Sequence, residues 1–122
     1  HGMKPEKVEK LVEIEYYQIQ QLARFFDKLK SIKEPDSNGS LFDKTMILFG
    51  SGMGNANSHV NVDLPIMLAG GGLKLGEHKR YPDERSKRVP LCNLYLSMLQ
   101  HFGVKTDFFG TSTGTIPDLE VA

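Results

Sequence analysis

The chain has 122 residues, 39% hydrophobic and 25% charged, and its 15 basic and 15 acidic side chains balance to zero net charge. That length fits one domain spanning 1–122 with a modest core, and the charge balance removes any global electrostatic argument for nucleic acid or an anionic membrane. One cysteine, Cys92, excludes an internal disulfide, and no segment approaches the ~18 consecutive apolar residues of a membrane span.

Pro5 to Lys33 is predicted to form one long helix. Pro5 suits the first turn. Val8, Val12, Ile19, Leu22, Phe26 and Leu29 follow a three-four spacing interrupted by Glu15, and Leu11, Ile14, Phe25 and Ile32 widen the stripe. At ~1.5 Å per residue such a helix is roughly 40 Å long. It either packs across a sheet larger than this chain supplies or pairs with another helix. A core-facing role outweighs a coiled-coil seam, because Glu15 falls at a seam position. Glu34-Pro35 ends the helix, since the residue before proline avoids helical geometry, and PDSNGS is a turn cluster.

Met46-Ile47-Leu48-Phe49 is a continuous apolar run, the pattern of a strand buried on both faces, and Leu64 to Ala69 is a second. Pro65 stands at the start of that run, where a missing N–H is tolerated, and Gly70-Gly71-Gly72 turns the backbone. Glu77 to Arg88 reads as a polar surface loop in which Lys79, Arg80, Arg85, Lys87 and Arg88 are diluted by Glu77, Asp83 and Glu84. Pro90 to Phe102 is a second amphipathic helix, with Leu91, Leu94, Met98, Leu99 and Phe102 on one face and Gly103 as its stop. Cys92 sits in this apolar pattern as a small hydrophobe rather than a nucleophile. Val104 to Ala122 is turn-rich.

The strand-loop-strand stretch Thr45 to Gly72 is where an α/β sheet places its chemistry. Its candidate loop residues are Ser51, Gly52, Gly54, Asn55, Asn61 and Asp63, together with His59. Glycines after a strand present backbone N–H groups to an anion. A dinucleotide fingerprint fails, because Asn57 stands where the third glycine belongs and no helical pattern follows. Ser51, His59 and Asp63 have the residue types of a hydrolytic triad, but Phe49 occupies the first glycine position of a nucleophile elbow, and a serine in a turn usually bonds its own backbone. His59, Asn61, Asp63 and His78 could supply oxygen and nitrogen ligands, yet nothing enforces a common face. A metal at His59 would need ligands from outside this stretch. Tyr16, Tyr17, Phe25 and Phe26 are better explained by packing than by base stacking.

His1-Gly2, the spaced Lys7, Lys10, Leu11 and Ile14, the stretch Gln20-Gln21-Leu22-Ala23 to Lys28-Leu29-Lys30, LFDKTMILFGSGMGN, HVNVDLPIMLAGGG, Arg80-Tyr81-Pro82, NLYLSMLQHFGV and FGTSTGTIPDL follow one another in order. In that order they resemble a bacterial family known as domain of unknown function, family 1552, over nearly the whole chain. The resemblance implies the C-terminal portion of a longer, exported, periplasmic protein, although the first residues here carry no signal-peptide pattern. It also implies a fold similar to the alkaline phosphatase and sulfatase superfamily, whose strand before the metal site ends in an Asp-His pair. Gly52-Met53 stands at the matching position here. A later histidine ligand of that superfamily falls near His59. Asn61 and Gln18 stand where family members often have histidine, and the nucleophile and first ligands would lie upstream of His1.

The expected architecture is therefore α/β: a small, mainly parallel sheet flanked by a long N-terminal helix and a second amphipathic helix, an alkaline-phosphatase-like fragment. A chain opening on His1-Gly2 is expected to be cut from something longer. The leading functional expectation is a non-catalytic portion with a structural or assembly role, whose partner is the upstream part of its parent or a second copy. One alternative is part of a metal-dependent phosphate or sulfate ester hydrolase, with a divalent metal held by the full-length parent. The other is an anion- or partner-binding module.

Overall fold

The computed structural model describes residues 2–74, 76–82, 84–117 and 119. Its internal contacts fall into two compact units, His1–Gly71 and Gly72–Ala122.

In the first unit α1 spans Pro5–Ser31, with proline in the first turn and Lys28 and Lys30 in the last, where cations complement the helix dipole. It stops two residues short of the expected Lys33 because Ile32 turns to extended backbone. The polypeptide then reverses through 35–39, held by an isolated bridge between Lys33 and Ser40. The Leu41 N–H donates to the Ile32 carbonyl at 2.8 Å, and the Glu34 N–H to the Gly39 carbonyl at 3.3 Å. A short helix, α2, spans Leu41–Lys44. Its cap is built by Ser40, whose backbone N–H and hydroxyl both donate to Asp43 Oδ2, at 2.7 and 2.8 Å. Those two donors, the backbone one foremost, hold the Asp43 carboxyl below the ordinary aspartate range.

Strands β1, Met46–Gly50, and β2, Ile66–Gly70, pair with Met46 opposite Gly70 and Gly50 opposite Ile66. The pairing is antiparallel, which corrects the expected parallel sheet. A parallel pair needs a crossover that is usually helical, and residues 51–65 contain no helix. An apolar run specifies burial and leaves strand direction open. The described residues thus make a mixed α and β fold with a two-stranded sheet, and two antiparallel strands do not make the alkaline-phosphatase-like architecture that the resemblance implies. Gly70 lies in left-handed backbone, and a Cβ there would run into the Thr45 and Phe42 carbonyls, so only glycine closes this strand end.

The C-terminal part of α1 packs on α2. Phe26 meets Phe42 edge to face at 5.3 Å, Lys30 Nζ lies 4.9 Å from the Phe42 ring centroid, and Leu29 is buried. Residues 9–20 of the same helix are all exposed.

In the second unit α3 spans Leu91–His101, one residue shorter at each end than expected, and Gly103 follows in left-handed backbone as its stop. Leu96 is 1% exposed, and Leu73 and Ile116 are buried. The turn-rich tail is tied to α3 by two polar side chains one helical turn apart. Asn93 accepts from the Thr113 N–H at 2.9 Å and donates to the Thr113 hydroxyl at 3.3 Å. Ser97 accepts from the Ile116 N–H at 2.7 Å and donates to the Asn93 carbonyl at 3.0 Å. Tyr95 and Phe109 meet edge to face at 5.9 Å.

Candidate functional site

Residues 51–63 form one loop between the strands, and Ser51, Gly52, Gly54, Asn55, His59, Asn61 and Asp63 all lie in it, each exposed. Its shape comes from its own backbone. The Gly54 N–H donates to the Val60 carbonyl at 2.9 Å and the Val60 N–H to the Asn55 carbonyl at 3.3 Å, making a bridge across the loop. Asn55 Oδ1 accepts from the Asn57 and Ser58 N–H groups, at 2.9 and 3.2 Å, the local turn chemistry for which asparagine is favoured. Ser51 Oγ accepts from the Met53 N–H at 3.1 Å. Asn57 Oδ1 accepts from the Gly2 N–H at 2.8 Å, tying the loop to the residues before α1. A Cβ on Gly54 would collide with the Val62 carbonyl, whereas one on Gly52 would meet open space. Of the two, Gly54 is the glycine that the loop requires.

This geometry bears directly on the chemistry expected of the loop. The N–H groups of Met53, Gly54, Asn57, Ser58 and Val60 already have acceptors inside the loop, so they do not converge as an anion cradle. The Ser51 hydroxyl oxygen serves the backbone. His59 and Asp63 both take positive φ, 54° and 52°, a conformation that costs about 1–2 kcal/mol per residue and that each tolerates better than a branched side chain would. Among the described residues, no three His, Cys, Asp or Glu side chains are grouped to hold a metal ion. The donor set around His59 therefore does not fit a divalent metal by itself. His78, the other histidine with ligand potential, belongs to the second unit.

The second unit contains a cavity of about 330 Å³ that sequence reasoning missed, lined by Leu73, Ser97, Met98, His101, Ile116 and Leu119 among others. Ser97 accepts from the Ile116 N–H of the tail and donates to the Asn93 carbonyl of its own helix, so it is not set up as a nucleophile. In the same unit, Cys92 is half-buried and outside any disulfide. The Thr111 hydroxyl, and then the Thr111 backbone N–H, lower its thiol pKa by favouring the thiolate.

No family model, curated protein or solved structure matches the chain. The local geometry therefore carries the functional reading. Two features had signals in the sequence that the periodicity alone does not bring out. Ser40-Leu41-Phe42-Asp43 is a capping pattern, and the spacing of Asn93 and Ser97 puts both on one helical face. Nothing in the sequence pointed to the backbone groups of the tail that they would hold.

Proposed function

We propose that this chain is a non-catalytic structural portion of a larger assembly, completed by further polypeptide over the outer part of α1. The observation that supports this reading is the exposed apolar surface of that helix. Leu11 is 48% exposed and Ile14 55%, and Val12, Ile19, Tyr16 and Tyr17 are exposed with them. Single exposed apolar residues are ordinary, but six exposed within positions 11–19 of one helix mark an interaction surface. The two-stranded sheet is too small to cover a helix of 27 residues. The covering polypeptide is the upstream part of the parent protein or a second copy, in an exported bacterial protein resembling the family named above. A hydrolase of phosphate or sulfate esters is the weaker reading. It would need its nucleophile and the remaining metal ligands from upstream, with His59 adding one.

Sedimentation velocity over a range of concentrations tests the proposal. The isolated chain is expected to self-associate, and Leu11→Ser combined with Ile14→Ser to return it to monomer with α1 still helical by circular dichroism. A clean monomer at every concentration overturns the reading, as does stoichiometric bound metal with ester turnover by this chain.

A further inference from the structure

The link between α1 and α2 contains the sequence Ser37-Asn38-Gly39-Ser40, and we infer that Asn38 is a site of spontaneous backbone-directed modification, converting to aspartate and isoaspartate through a cyclic imide with water as the co-reactant. Two observations carry this. Asn38 is exposed in a turn, so its side chain is free of a packed environment that would fix it. The residue after it is glycine, which has no Cβ to block approach of its own nitrogen to the neighbouring carboxamide.

The chemistry balances with water alone. The Gly39 backbone N–H donates to Ser37 Oγ at 3.2 Å, an exposed bond that opens before solvent hydroxide takes the amide hydrogen as water. The Gly39 nitrogen then forms a bond to Asn38 Cγ, the bond from Cγ to the carboxamide nitrogen Nδ2 breaks, and ammonia leaves. Water opens the resulting five-membered imide at either carbonyl, giving aspartate or an isoaspartyl linkage, with no change of oxidation state. Asn38-Gly39-Ser40 also has the N-x-[ST] pattern of an N-glycosylation acceptor. Ser40, however, is 8% exposed and its hydroxyl is held by Asp43, so the hydroxyl that this pattern requires two residues after the acceptor asparagine is sequestered.

The position matters for the fold. Lys33 and Ser40 close this link as a bridge, and the Glu34 N–H bonds the Gly39 carbonyl across it. An isoaspartyl linkage adds a methylene to the backbone inside that closed reversal. It places a new carboxylate beside the Ser40–Asp43 cap and pulls against the seating of Phe42 on Phe26.

The test is incubation of the folded protein at mildly alkaline pH, followed by peptide mapping, ion-exchange separation and isoaspartyl methyltransferase labelling. The peptide holding Asn38 should convert faster than those holding Asn55, Asn57, Asn61 and Asn93, which precede Ala, Ser, Val and Leu. Gly39→Ala should slow the conversion roughly tenfold, because the added Cβ hinders closure of the ring. That Cβ would lie 3.1 Å from Asp43 Oδ2, a contact that a small shift relieves. An Asn38 peptide no faster than the others, a rate unchanged by Gly39→Ala, or aspartate without isoaspartate would each overturn the inference.

Discussion

α1 and α3 both carry an apolar stripe at helical spacing, yet α1 leaves Leu11, Val12, Ile14 and Ile19 in solvent, while Leu91, Leu94, Met98 and Leu99 of α3 are half-buried. Leu96, outside the expected face, is almost completely hidden, and of that expected face only the last residue, Phe102, is left exposed. The difference lies in what the rest of each unit offers. Leu22, Phe26 and Leu29 of α1 are covered, and Phe26 meets α2, but the stripe runs on past the end of what this unit places against it. α3 is short, and the tail folds back on it through Asn93 and Ser97. Periodicity states which face is apolar. It does not state whether the protein itself supplies the cover.

The largest expected effect follows from that contrast. Leu96→Ala should cost about 3 kcal/mol by denaturant unfolding, as truncations in filled cores do, while Ile14→Ala in the monomeric protein should stay within about 0.5 kcal/mol. Similar losses at both positions would break the comparison. Next comes the latch. Asn93 is 6% exposed and bonds two groups of Thr113, itself an exposed residue, so Asn93→Ala should destabilise by about 1 kcal/mol, the scale for a lost hydrogen bond whose partners can turn to water. A near-neutral result by the same measurement would mean that the tail is held by Leu96 and Ile116 alone.

The smallest effect is at the α2 cap. The Asp43 pKa is lowered by the Ser40 donors, so its contribution is complete above the ordinary aspartate value and is lost as pH falls through the depressed one. Thermal unfolding followed from neutral to acid pH should show this loss below pH 3.8. Asp43→Asn should remove it throughout and flatten that part of the profile. An unchanged profile in Asp43→Asn would assign the acid limb to other carboxylates.

Much of the fold was legible because helices announce themselves by period and by their ends. Pro5 opens α1, Pro35 follows its close, and Gly103 ends α3. Strand direction was not legible from Met46–Phe49 and Ile66–Ala69, since an apolar run reads the same in either orientation. The absence of a helical pattern in 51–65 was the stronger signal for an antiparallel pair. The loop residues were found together, as expected from their adjacency in sequence. Their roles were not legible, because Asn55, Ser51 and Asn57 serve backbone groups whose positions exist only once the loop has closed.

The Asn93–Ser97 latch also has a dynamic consequence. Thr113 and Ile116 lie outside every helix and strand, and irregular backbone normally trades its amide hydrogens with solvent quickly. Here both amides are held by side chains of α3, so their exchange is tied to the opening of that helix. Two amides in an apparently unstructured tail become the slow reporters of when the second unit comes apart.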